Sequence, residues 1–113
     1  VKKIKGLTIG ERIASAMIFP EKLNRAGMKL AFKFEDECKL TEKEKEKIEF
    51  VVDGMQVRWN TEKAGFKKDV ILEDAEYELL QEMMKVRQDF PRVKAVADLL
   101  DKIETAEDYK LEK

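Results

Sequence analysis

Four carboxylates crowd into six residues at Glu73, Asp74, Glu76 and Glu78, a density of oxygen ligands that suits a hard cation such as Mg²⁺ or Ca²⁺. Neither an EF-hand spacing nor a second acidic motif accompanies them. Acids that open an amphipathic segment are accounted for by the positive end of a helix dipole, so no metal is expected. The single cysteine, Cys38, follows Glu35, Asp36 and Glu37, a setting opposed to the thiolate that a nucleophile needs. It reads as a small residue at the edge of the core. Histidine is absent altogether, which removes the commonest general base, the commonest metal ligand and every Ser-His or Cys-His arrangement. Five glycines are scattered with no P-loop or G-x-G-x-x-G pattern to cradle phosphate. The sequence therefore predicts no enzyme, no cofactor and no metal site.

Residues suited to binding are easier to find. Residues 1–33 carry eight Lys/Arg against Glu11 and Glu21, a net of +6, while residues 34–113 carry a net of −7. Such asymmetry can steer a chain toward an anionic partner or toward the acidic part of a second copy. The alternative is that the two regions lie side by side and neutralise each other. Arg58 and Trp59 are types that anchor a partner or stack on a base, although alternation along a strand suits a core-facing tryptophan equally well. The candidate partner-binding residues are thus Lys2, Lys3, Lys5, Arg12, Arg25, Arg58 and Trp59. Met83-Met84 resembles an adaptable contact surface, but both fall on the apolar side of a segment that must pack on something.

The elements that would position these residues follow from composition and pattern. With 113 residues there is room for one domain, expected over 1–113 with 1–6 and 105–113 frayed. Charged residues make up 42%, against about 25% in an average domain, yet 43% apolar residues are too many for a disordered chain. No apolar run approaches the roughly 20 residues of a membrane span and no signal-type segment opens the sequence. One cysteine makes no internal disulfide, so no oxidising compartment is needed.

Thr8-Ile-Gly-Glu11 is a capping box that opens a helix from about Ile9 to Phe19, stopped by Pro20. Over 28–37 two templates compete. Met28, Leu30, Phe32 and Phe34 alternate as in a half-buried strand, whereas Leu30, Ala31, Phe34 and Cys38 fit a helix after an Asn24 cap, and periodicity leans to the strand. Thr41-Glu-Lys-Glu44 is a second capping box, opening a short Glu/Lys helix. Phe50 to Trp59 reads as a hairpin turning at Asp53-Gly54 in a type I′ turn, with Phe66 to Leu72 as a third strand of the same meander. Acids first and bases last predict a helix over Asp74 to Gln88. After Pro91 a final helix carries a stripe of Val93, Val96, Ala97, Leu100 and Ile103.

Taken together, Leu7-Thr-Ile-Gly-Glu-Arg12, the Pro-terminated helix, Lys39-Leu-Thr-Glu-Lys-Glu44 and a hairpin ending in Val57-Arg-Trp-Asn60 resemble small uncharacterised proteins encoded by bacteriophages and prophages. The resemblance covers about the first 85 residues and none of its motifs is catalytic. It implies a viral origin and residence in a bacterial cytoplasm, and it implies a helix over Leu30 to Leu40. The expectation is an α+β domain, with helices packed on a small antiparallel sheet of about three strands and a C-terminal helical pair. Its expected function is that of a soluble, non-enzymatic phage accessory protein that binds a host or phage protein, with a homodimer compatible. The alternative is a winged-helix-like nucleic-acid-binding regulator using the basic N-terminal third, although its recognition helix would be the Glu/Lys run, with acids facing phosphate.

Overall fold

A computed structural model describes residues 1–87 and 89–109. In chain order the elements are β1 (Lys2–Leu7), α1 (Ile9–Ala14) with a 3-10 turn at Ser15–Met17, α2 (Arg25–Cys38), α3 (Glu42–Lys47), β2 (Val51–Asp53), β3 (Gln56–Arg58), β4 (Lys68–Leu72), α4 (Asp74–Val86), α5 (Lys94–Glu104) and β5 (Glu107–Asp108). The fold is α+β, with a three-stranded antiparallel sheet ordered β4-β1-β5 and a separate two-stranded sheet, β2-β3.

The N-terminal segment expected to fray is instead the central strand. Ile4 and Leu7 are fully buried, although residues three apart on a regular strand point to opposite faces. The register against β4 slips between them, at Gly6, whose φ of +69° lies where glycine carries no Cβ penalty. This bulge turns both apolar side chains to the same core. The C-terminal end is likewise held as far as it is described: β5 pairs with Lys2 and Lys3, and the Tyr109 N–H bonds the Val1 carbonyl at 2.9 Å. Residues 110–113 lie outside the described residues.

The predicted meander is also corrected. β4 pairs with β1 and not with the hairpin, because Val70 and Leu72 share the core of Ile4 and Leu7. The hairpin itself turns at Gly54-Met55, since Asp53 pairs with Gln56. Gly54 has φ +64°, so glycine takes the first central position, as in a II′ turn.

The helices follow their predicted caps. Thr8 and Glu11 exchange backbone bonds at α1, and Thr41 and Glu44 do the same at α3. The Asn24 side chain accepts the Gly27 N–H at 2.8 Å, so 25–38 is a helix, with Leu30, Ala31, Phe34 and Cys38 inward. The strand-like alternation fails there because it would bury Met28 and Phe32, which lie on the outer side. The first helix is shorter than predicted, becoming a 3-10 turn before Pro20. α4 lies against α2 and α5 against α1 and β1, and the two meet where the Tyr77 hydroxyl donates to the Ile103 carbonyl at 2.5 Å. The buried stripe of α5 is Val96, Leu99 and Ile103, while Val93 and Ala97 face outward.

Two clusters result. The main core joins the sheet to α2, α4 and α5 around Phe34, Leu72, Leu80 and Leu99. A smaller one, of Ile9, Leu40 and Ile48 with Phe50, Trp59 and Phe66 against it, seats the hairpin. α3 delivers the chain to that hairpin through Glu49, a non-glycine residue at φ 56° that closes the helix C-terminus in a left-handed cap. Its carboxylate accepts a bond from Lys63 Nζ at 2.7 Å.

Candidate functional site

The seven residues nominated for binding do not converge. Lys2 lies 2.7 Å from Asp108 and over the Tyr77 ring. Lys3 sits 3.3 Å from Asp69 and over the Tyr109 ring, and Lys5 is 3.6 Å from Glu107. Arg58 bonds Asp53 at 2.9 Å on the hairpin, and Trp59 is half-buried in the smaller cluster. Only Arg25 is exposed with no carboxylate within 4.0 Å among the described residues.

Arg12 departs furthest from the expectation, because its side chain is only 1% exposed. Its guanidinium donates to both Glu44 oxygens, at 2.7 and 3.0 Å, to the Cys38 carbonyl at 3.0 Å and to the Lys39 carbonyl at 2.9 Å. The two carbonyls belong to the end of α2, where helix carbonyls lack intrahelical partners. Glu44 meanwhile caps α3. One planar fork therefore ties α1, the end of α2 and the start of α3, which makes Arg12 a structural residue and removes it from any contact surface. The Arg12 bonds, opposed in part by burial, hold the Glu44 carboxyl down at about 2. Glu11 plays the matching part on the other side of α1, accepting from Lys102 at 2.5 Å while Lys102 also donates to the Gly6 carbonyl at 2.8 Å.

The acidic cluster is spent in the same way. Glu73 and Glu76 form a capping box at the start of α4, and Glu76 accepts from Lys33 at 2.7 and 2.9 Å. No group of three His, Cys, Asp or Glu among the described residues is placed to hold a metal ion. Cys38 is buried in the main core, and burial pushes its thiol up to about 11. Met83 and Met84 are half-buried against the main core. No helix is long and apolar enough to cross a membrane among the described residues.

Among the exposed apolar residues, which also include Met17, Ile71, Val86 and Val93, two groups stand out that residue-type reasoning missed. One is the hairpin. Phe50 and Trp59 at its base are half-buried, while Val52 and Val57, cross-strand neighbours further out, are exposed, and Met55 at the tip is fully so. The apolar stripe thus runs off the smaller cluster into solvent. The second lies on α2, where Met28 and Phe32 are 47% and 62% exposed beside the loop from Pro20 to Leu23. Its signal was in the sequence all along, as the two large apolar residues out of phase with the helical stripe. Comparison with known proteins finds no matching family model, no matching curated protein and no matching solved structure.

Proposed function

We propose that this chain is a non-enzymatic accessory protein of the bacteriophage kind that binds a host or phage protein in the bacterial cytoplasm, with the hairpin as its contact element. The observation that carries this reading is the state of β2 and β3. They pair only with each other among the described residues, each strand is three residues long, and all of their residues are exposed. A lone two-stranded ribbon is marginal in water. Exposed edges are ordinarily blunted by short length, charge, proline or a bulge; these strands are short and carry Asp53 and Arg58, but neither has a lysine, a proline or a bulge. Its one cation, Arg58, is tied to Asp53. A partner strand added to an open edge would extend the ladder and cover the Val52–Val57 pair.

Of the cations that the nucleic-acid alternative would use, Lys2, Lys3, Lys5 and Arg12 each lie within 4.0 Å of a carboxylate, which leaves only Arg25 of the five unpaired among the described residues. Phosphate would have to displace those partners before any counterion is released. The test is retention of bacterial or phage-infected lysate proteins on the immobilised chain, compared with a Val52→Lys/Val57→Lys variant. One protein held at stoichiometric level by the wild type and lost by the variant, at unchanged thermal midpoint, supports the reading. The same proteins held equally by both variants overturn it.

A further inference from the structure

The charge asymmetry of the sequence resolves into something more specific in three dimensions. Of the eight cations in residues 1–33, Lys2, Lys3, Lys5, Arg12 and Lys33 each pair with an acid of residues 34–113. The three left over, Lys22, Arg25 and Lys29, are exposed and have no carboxylate within 4.0 Å among the described residues. They are also neighbours: Arg25 and Lys29 stand one turn apart at the start of α2, and Lys22 lines the groove that Met28 and Phe32 border. The unpaired positive charge of residues 1–33 therefore gathers beside Met28 and Phe32.

We propose that the outer face of the first turns of α2, with the Pro20–Asn24 loop, docks an acidic amphipathic helix of a partner protein. Three features select that occupant. A groove of about 460 Å³ runs between Met28, Phe32 and the loop, and a second of about 470 Å³ continues on the loop's far side over Leu79, Met83 and Val86. The two share Pro20, Lys22 and Leu23, so together they make an apolar trough of the kind that accepts anchors at i, i+3, i+4 and i+7. Met28 and Phe32, themselves i and i+4, meet such anchors at matching pitch. Acidity follows from the three free cations and from the positive end of α2. Glu21, Glu35 and Glu82 line the trough together with Lys22 and Arg87, while Arg25 and Lys29 stand beside it on α2; the partner's acids therefore fall on the Arg25–Lys29 side, and a polyphosphate along the whole length is disfavoured.

The inference rests on the protein-binding reading but uses a surface separate from the hairpin. The probe is a fluorescein-labelled peptide of about 18 residues with leucine at i, i+3, i+4 and i+7 and glutamate on its other face, followed by anisotropy with the full chain. A lysine-for-glutamate peptide and a single-stranded oligonucleotide serve as controls. Binding of the acidic peptide should weaken about tenfold with Phe32→Ala and with Arg25→Glu/Lys29→Glu, and fall with added salt. It should be unchanged by Val52→Lys/Val57→Lys. No binding, binding equal for the lysine peptide, survival in both α2 variants, or preference for the oligonucleotide would each overturn the proposal. Peptide binding that stands while hairpin-dependent capture fails removes only the hairpin, and the converse removes only the trough.

Discussion

The main body and the hairpin lobe each contain an arginine paired with a carboxylate and β-strands carrying apolar residues, and they use them to opposite ends. Arg12 and Arg58 approach their acids at 2.7 and 2.9 Å, but the Arg12 side chain is 1% exposed and that of Arg58 68%. In the body the guanidinium is also bonded to two helix-end carbonyls and shielded from solvent, with only Glu44 partly exposed; on the hairpin the pair spans two strands in water. Likewise Ile4 and Val70 of the main sheet are fully buried, whereas Val52 and Val57 of the hairpin are not. The difference lies in what covers each strand pair. Helices α2, α4 and α5 close over one face of the main sheet through the shared core, while only the base of the hairpin reaches a cluster. Residue type therefore says little about role here until the neighbouring elements are placed.

This contrast can be broken most directly at Arg12. Arg12→Ala leaves Glu44 without its partner and two carbonyls without donors, and should destabilise the fold by about 3–5 kcal/mol, read as the denaturant midpoint at constant slope. If the loss were below about 1 kcal/mol, the pair would belong with ordinary surface bridges. Phe34→Ala, which removes a fully buried ring that packs edge-on against Phe19, should cost a similar 3–5 kcal/mol.

Acid should sharpen the contrast. The folded Glu44 carboxyl sits at about 2, below its ordinary value of 4.5, so its contribution is fully present above pH 4.5 and is lost as pH falls toward 2. Glu44→Gln cannot titrate. Stability profiles of Glu44→Gln and wild type should thus converge over that window, and profiles that stay parallel would show that Glu44 gains nothing from Arg12. The smallest effect is expected on the hairpin. Arg58→Ala should shift stability by no more than about 1 kcal/mol, and a larger loss would mean that the ribbon depends on that pair.

Much of the fold was legible because it is written locally. Both capping boxes, the Asn24 cap and the acid-to-base polarity of α4 involve residues within a few positions of each other, and each predicted helix formed around them. The helix over 25–38 was harder, since two periodicities overlapped and the deciding observation was which side of the element met the core. β1 was not legible: its lysines look like a solvated tail, and its strand character depends on Val70 and Leu72, more than sixty residues away, and on a bulge at Gly6. Of the candidate contact residues, Lys2, Lys3, Lys5 and Arg12 have partners between 32 and 106 positions distant, which no local pattern encodes. Only Arg25 belongs to the surface now proposed for α2.

By itself, then, the sequence determined the class of fold, the helix boundaries near their caps and the absence of histidine chemistry, because these depend on composition and on interactions within one or two helical turns. Only the tertiary structure decided which strands pair, which cations are spent on internal acids and which apolar residues stay in water. Those outcomes turn on contacts between distant segments, where burial and charge pairing are settled by what is packed alongside.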